Sequence, residues 1–320
     1  MTWLVTGGAG YIGAHVVRAF QEQGIDAVVL DDLSSGHAEF VSDKTPFVEG
    51  TILDTDLVRR TLREHDVTGV VHVAGFKYAG VSVERPLHTY DQNVTGTVSV
   101  LRAMQDEGVS NMVFSSSASV YGTPDVEIVT ESTALGPESP YGQSKLIGEW
   151  LLADQEVAVG LNHTSLRYFN VVGSIDDSIY DTSPHNLFPL VFEALVSSRT
   201  PHINGDDYDT PDGTCVRDYI HVADLARSHV AAAQKLEAGE RLAPAYNLGS
   251  GDGSSVREIM QAMAQVTGID FEPEIAARRP GDPDRIVANG ELAARDLEWK
   301  MRHSLDEMVA SAWSARKNAG

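Results

Sequence analysis

Tyr141 and Lys145 stand four residues apart, directly after Pro140. Proline is favoured in the first turn of a helix, and residues i and i+4 share a helix face, so this spacing sets a phenol beside an ammonium. A phenol ionises near pH ~10 and is a poor base at neutrality. A neighbouring cation favours the phenolate, and a Tyr so tuned can take a proton from a substrate hydroxyl. Ser115, Ser116 and Ser117 close a β-branched, apolar stretch. A hydroxyl there can hydrogen-bond the same reacting oxygen. On its own, Y-x-x-x-K is equally what an ordinary helix surface presents.

A second constellation lies near the N-terminus. Gly7, Gly10 and Gly13 follow a strand pattern and open a helical one. Glycines permit the tight turn and let backbone approach a pyrophosphate, while the helix N-terminus supplies unpaired N–H groups. Alone, such a loop is also a closely packed strand-to-helix turn. Asp31 ends the second strand pattern, Asp32 follows, and no Arg is adjacent. An acid there accepts hydrogen bonds from an adenosine ribose and repels a 2′-phosphate, which favours NAD over NADP; the plainer alternative is a strand-end turn residue. The positive nicotinamide would add to Lys145 in favouring a Tyr141 phenolate.

These residues need a frame. Short strands are expected over 3–6, 27–30, 47–49, 70–73 and 112–115, with helices over 11–23, 57–64 and 87–106. In the first helix Ile12, Val16, Val17 and Phe20 share a face, and Gly24 ends it. The alternation predicts an α/β fold, a doubly wound parallel (Rossmann) sheet, with a smaller C-terminal α/β substrate lobe. The second half is less regular. Stretches 176–184 and 206–213 read as long loops, 245–248 and 271–275 as strands, 256–267 and 304–316 as helices. No repeat or linker separates the halves. The expected division is a cofactor domain over 1–170, to which about 215–250 returns, and a substrate lobe over 171–320.

Composition sets bounds. The 320 residues are 42% hydrophobic and 22% charged, a core-forming balance, with a net charge of −22. Such acidity argues against nucleic acid or anionic membranes as partners. A single cysteine, Cys215, excludes a disulfide framework or Cys-rich metal site and fits a reducing cytoplasm. No metal is expected. No signal peptide or membrane-spanning run is read from the chain.

The motifs together resemble the extended short-chain dehydrogenase/reductase family, and within it the UDP-hexose 4-epimerases, over nearly the whole chain. The matching segments include Val5-Thr6-Gly7-Gly8-Ala9-Gly10-Tyr11-Ile12-Gly13, His72-Val73-Ala74-Gly75-Phe76-Lys77, Ser115-Ser116-Ser117-Ala118-Ser119-Val120-Tyr121-Gly122 and Ser139-Pro140-Tyr141-Gly142-Gln143-Ser144-Lys145. Leu166-Arg167-Tyr168-Phe169-Asn170, Val216-Arg217-Asp218-Tyr219 and Tyr246-Asn247-Leu248-Gly249 add to them. The resemblance implies redox-neutral interconversion of UDP-galactose and UDP-glucose through a 4-keto intermediate, with tightly bound NAD. It implies Tyr141 as base and acid, Ser117 on the reacting hydroxyl, and Lys145 on the nicotinamide ribose. Gly7, Gly10, Tyr11, Ile12, Gly13, Asp31, Asp32, Leu33, Ile52, Val73, Ala74, Gly75, Lys77 and Tyr168 would surround NAD, supported by Asn93. Asn170, Asn186, Leu187, Arg217, Arg279 and Asp282 would hold the UDP part. A homodimer is implied, through a four-helix bundle of helices 87–106 and 141–153.

Departures from the family pattern bear on affinity and selectivity. Thr51 stands for an adenine-binding Asp, Gln92 for an Asn near the cofactor, Asn204 for an aromatic on uracil, Val171 for a Pro, and Asp32 for an Asn. Dehydratases and decarboxylases carry an acid shortly after the strand-end Ser; here Ala118 and Ser119 stand there, which disfavours elimination. Ile286 falls where the family sets room beside the sugar 2-substituent. It predicts preference for the plain sugars over N-acetyl forms, unless it is simply a core strand residue. The alternatives are an epimerase of N-acetylhexosamine, pentose or uronate sugars, a net nucleotide-sugar dehydrogenase or reductase, or a non-catalytic sensing module. Modules of that last kind usually lack the Tyr or Lys.

Overall fold

The computed structural model describes residues 1–279 and 283–318. In chain order, the first part comprises β1 (Thr2–Thr6), α1 (Tyr11–Glu22), β2 (Asp26–Asp31), β3 (Phe47–Glu49), α2 (Thr55–Glu64), β4 (Val67–His72), α3 (Ala79–Glu84), α4 (Pro86–Tyr90), α5 (Gly96–Glu107), β5 (Asn111–Ser115), β6 (Ile128–Val129), α6 (Pro140–Val159) and β7 (Asn162–Tyr168). The rest follows as β8 (Asn170–Val172), α7 (Leu187–Val196), β9 (His202–Asn204), β10 (Val216–Arg217), β11 (Tyr219–His221), α8 (Val222–Glu237), β12 (Ala245–Leu248), β13 (Ser254–Ser255), α9 (Val256–Thr267), β14 (Glu274–Ala276), β15 (Arg285–Ala288), α10 (Glu291–Asp296) and α11 (Leu305–Asn318).

Seven strands form one parallel sheet in the order β12-β7-β5-β4-β1-β2-β3. The strands are added outward in opposite senses on either side of the β1–β4 pair, and that switch point opens a crevice at the strands' C-terminal ends. Both faces are covered, so the strands run as near-continuous apolar segments. Trp3 and Val5 of β1 pack with Phe20 of α1, and with Leu225 and Leu236 of α8. Leu4, one residue out of phase, packs on the other face with Leu62 of α2 and with Met104 of α5. A third cluster joins Phe188, Phe192, Met260, Met263 and Val309 of α7, α9 and α11 in the C-terminal lobe. A four-stranded sheet, β13-β10-β15-β6, lies beside it.

Two sequence readings need correction. The strand expected over 271–275 is β14, Glu274–Ala276, placed by pairing with β9 rather than by its own apolar run. The helix expected over 87–106 is not uniform: between α4 and α5 the residues Asp91–Thr95 form a π-helical turn. The extra residue re-aims the side chains that follow, a device common near functional sites.

Three histidines are buried beneath the site. His72 lies between Thr6 and Thr97, His229 between Ser115 and the Leu225 carbonyl, and His15 between the Tyr11 carbonyl and Ser174. Burial lowers them to about 3, about 4 and about 4 respectively. Each folded value lies below the unfolded value of ~6.5, so in that interval the unfolded chain binds more protons. Their contribution is therefore complete above pH ~6.5 and is lost as pH falls toward 3–4. We expect the thermal midpoint to drop progressively below pH ~6.5. A midpoint unchanged down to pH ~4.5 would show that these imidazoles are not held neutral.

Candidate active site

The glycine loop leaves β1 and enters α1 with no room for side chains. Gly7 has φ +71°, and a Cβ there would lie 2.7 Å from the Ala74 nitrogen. A Cβ on Gly13 would lie 2.1 Å from the Gly7 carbonyl oxygen. The bare backbone this produces is a cradle suited to a pyrophosphate at the start of α1. At the end of β2, Asp31 accepts from Ala9 N–H at 3.0 Å and from Leu33 N–H at 2.9 Å. Burial raises its pKa, opposed by these two bonds. Leu33 thus serves Asp31 through its backbone, while Ser34, Ser35 and Gly36 line the crevice beside Asp31 and Asp32. Those three small residues escaped the sequence reading, although a small polar run directly after the acid was a usable signal.

The crevice has a volume of about 550 Å³. It runs from Gly7, Gly10, Tyr11, Ile12 and Gly13 past Asp31 and Ile52 to Val73, Ala74, Gly75 and Lys77. It then reaches Tyr141, Lys145 and Tyr168 and extends to Asn170, Asn186 and Leu187. A bare cradle, an acid at the end of β2 and this length fit a dinucleotide.

Helix α6 presents the reactive pair. Ser139 caps it, accepting from Gly142 N–H at 3.1 Å, and Pro140 occupies its first turn. Lys145 Nζ donates to the Ser115 carbonyl at 2.9 Å and stands 5.9 Å from the Tyr141 ring centroid. Burial lowers the Lys145 pKa to about 8. Burial also raises the Tyr141 pKa, opposed by a hydrogen bond with Ser117. In the chain by itself burial is the largest influence on both groups and draws each toward neutrality. Ser117 is 8% exposed and also accepts from Ser119 N–H at 3.1 Å.

The π-helical turn explains Asn93. Its Oδ1 accepts from Phe76 N–H at 2.6 Å, and its Nδ2 donates to the Phe76 carbonyl at 3.0 Å and to Ser144 Oγ at 2.8 Å. It therefore ties the segment bearing Lys77 to the helix bearing Tyr141 and Lys145. Gln92, from the same turn, lines the crevice.

On the lobe side, Asn170 Nδ2 donates to the Asp218 carbonyl at 3.0 Å, and Asn186 Nδ2 donates to Asp181 Oδ2 at 2.7 Å. Arg217 stands on β10, in register with Ile286 of β15, and its Nη1 donates to the Val216 carbonyl at 2.8 Å. Arg279 is exposed, and neither arginine is on the crevice wall. Asp282 lies outside the described residues. The wall also includes Tyr78, Arg85, His88, Asp181 and Ser183, which sequence reading missed. For the last two a signal existed: they belong to the long loop over 176–184. Among the described residues no group of His, Cys, Asp or Glu is arranged to hold a metal ion.

Ile286 is 8% exposed and packs with Ala118, Val120, Tyr121, Val129, Leu146 and Ala288, with Phe169 at the edge. Phe169 lines the crevice, so Ile286 is separated from it by one layer. Ile286→Gly is expected to cost roughly 2–5 kcal/mol of stability, as large-to-small core changes do. By letting Phe169 recede, it should also raise kcat/KM for N-acetyl sugars relative to plain ones by about 10-fold or more. Melting curves and kcat/KM for all four sugars test both. An unchanged ratio in folded protein would remove Ile286 from sugar selection.

A doubly wound sheet with a glycine cradle, an acid ending β2 and a Ser–Tyr–Lys centre defines a short-chain dehydrogenase/reductase type of enzyme. The chain belongs to the NAD dependent epimerase/dehydratase family, whose model matches residues 3–249. It is 42% identical to the UDP-glucose 4-epimerase of Lactobacillus helveticus, over 99% of this chain and 98% of that one. The crystal structure of UDP-glucose 4-epimerase from Brucella ovis in complex with NAD is 41% identical, with a TM-score of 0.94 over 98% of this chain and 97% of that one. The enzyme from Stenotrophomonas maltophila, with bound NAD and formylated UDP-arabinopyranose, is 39% identical, with a TM-score of 0.95 over 100% and 98%.

Proposed function

We propose that this chain is an NAD-dependent UDP-glucose 4-epimerase, interconverting UDP-galactose and UDP-glucose with no net redox change. The observation that carries the reading is the composition of the reacting corner. The Ser117 hydroxyl favours the Tyr141 phenolate against burial, and the residues that follow Ser117 are Ala118 and Ser119, so no carboxyl stands there to drive elimination. NAD, when bound, supplies a hydride acceptor that returns the hydride to the same carbon. Tyr141 takes the 4-hydroxyl proton and gives it back, Ser117 orients that oxygen, and Lys145 holds a positive charge beneath the phenol. Asn170, Asn186 and Leu187 at the lobe end hold the UDP part. Anchoring the remote UDP leaves the sugar free to turn over while its binding energy is retained. Arg217, Arg279 and Asp282 are assigned to UDP on their sequence motifs.

Substrate deuterated at C4 tests the reading. Label retained in product, with no free NADH, is expected. Label lost to solvent, or NADH accumulating, would overturn it in favour of a net dehydrogenase.

The same reading places the cofactor domain over about 1–170, joined by the returning segment that carries β12, and the substrate lobe in the remainder. It also includes a homodimer. Val83, Leu87, Trp150 and Val157 are 63%, 78%, 58% and 89% exposed on α3, α4 and α6, and Trp150 and Val157 are one heptad apart on one face. Sedimentation equilibrium should give a dimer, and Trp150→Glu a monomer. Among the described residues no helix is long and apolar enough to cross a membrane. A cytoplasmic location rests on the sequence holding a single cysteine, Cys215, too few for an internal disulfide.

A further inference from the structure

We propose that Ser116, Glu149 and Arg167 are positioning residues that set where the Ser117 hydroxyl stands relative to Tyr141. The inference rests on the reading of Tyr141 and Ser117 given above. The serine run is tied down residue by residue. Ser115 is held by His229 through its hydroxyl, at 2.9 Å, and by Lys145 through its carbonyl. Ser116, fully buried, donates to Glu149 Oε1 at 2.5 Å. Ser117 is tied within its own turn, its Oγ accepting from Ser119 N–H at 3.1 Å and donating to Ser119 Oγ at 3.2 Å, and it is the serine whose hydroxyl favours the Tyr141 phenolate.

Glu149 lies on α6 at i+4 from Lys145 and i+8 from Tyr141, on the same face. One helix therefore carries the phenol, the ammonium and the carboxylate that grips the serine loop. Any slip of loop against helix must break the Ser116–Glu149 bond, one residue from Ser117. The carboxylate is in turn fixed from the central sheet. Arg167 of β7 donates through Nε to Glu149 Oε1 at 2.9 Å and through Nη2 to Oε2 at 2.5 Å. Its Nη1 donates to the Tyr121 hydroxyl at 2.9 Å, which donates to Asn247 Oδ1 at 2.7 Å. The Glu149 and Arg167 side chains are 9% and 6% exposed and stand behind the crevice wall. A buried pair of this kind adds little to stability over an apolar pair of equal volume, whereas its forked geometry fixes orientation.

The test uses the full-length holoenzyme and Ser116→Ala, which removes one hydroxyl and leaves the Glu149–Arg167 pair intact. Expected are a fall in kcat of about 10-fold or more, as small misplacements near reacting atoms produce, with KM and NAD content unchanged. The pH–kcat limb governed by Tyr141 should move to higher pH, because the Ser117 hydroxyl that favours the phenolate is less well placed. Glu149→Gln, which keeps an acceptor for Ser116, should lose less than Glu149→Ala; should either fail to fold, Ser116→Ala still decides. A Ser116→Ala enzyme with a lower melting point but wild-type kcat and pH profile would show a purely structural role and overturn the proposal. Failure of the wild type to epimerise would overturn the function proposed above instead. The Ser116→Ala comparison is then read on whatever NAD-dependent turnover the wild type shows.

Discussion

Tyr141→Phe should lower kcat by at least ~10²-fold, the loss expected on removing a general acid–base group, while NAD content and UDP affinity stay close to wild type. The substitution deletes only the phenolic oxygen. The Tyr141 N–H bond to Ser82 Oγ at 3.1 Å belongs to the backbone and survives. Ser117 keeps its bond from Ser119 N–H, so no buried donor is stranded. The fold should therefore hold, and the loss should sit in the chemical step. Initial rates with UDP-galactose, alongside cofactor content and UDP titration, give the answer. A near wild-type rate would remove Tyr141 from proton transfer and leave the proposed mechanism without its base.

Lys145→Met should lower kcat by a comparable factor, about 10², and change the shape of the pH profile. Methionine fills much of the same volume at a site where Lys145 is 6% exposed, so packing is largely kept. What disappears is the donor to the Ser115 carbonyl and the positive charge beside the phenol. Without that charge the phenolate is less favoured, and Tyr141 ionises only at higher pH. In the wild-type chain burial lowers Lys145 to about 8, so its charge is present below that value and is lost as pH rises through it. The Met variant has no such titration. Its residual rate should keep rising with pH beyond the point where the wild-type rate levels off. Superimposable pH profiles would show that Lys145 does not tune the phenol.

The features legible in the linear chain are those whose chemistry depends on near neighbours. Gly10 and Gly13 announce themselves because a Cβ would crowd the Gly7 carbonyl oxygen of the same loop, whereas the atom a Cβ on Gly7 would strike belongs to Ala74, far along the chain. Tyr141 and Lys145 share a face because a helix puts i and i+4 together, and Ser139 and Pro140 start that helix by local capping. The apolar runs of β1, β2 and β4 and the alternation with α1 and α2 were enough to imply a covered parallel sheet. Asp31 follows from its place at the end of β2.

What the chain by itself did not disclose depends on partners distant in sequence. The π-helical turn at Asp91–Thr95 was hidden, because Asn93 is drawn in by Phe76 and Ser144, which lie elsewhere in the chain. The short strands β8 to β11 and β13 to β15 exist through pairing across the lobe, not through strong local patterning. Ile286 looked like a gate by its distance from a motif, yet its burial among Ala118, Val129 and Leu146 came from three separate segments folding onto its strand. The sequence alone determined the kind of chemistry, since residue type and short-range spacing govern hydrogen bonding and charge at a strand end or helix start. Only the tertiary structure decided what holds the serine run against the helix of Tyr141, and that burial is the largest influence on the free phenol. Those outcomes depend on desolvation and on contacts between residues such as Ser116 and Glu149, or Glu149 and Arg167, that no local spacing encodes.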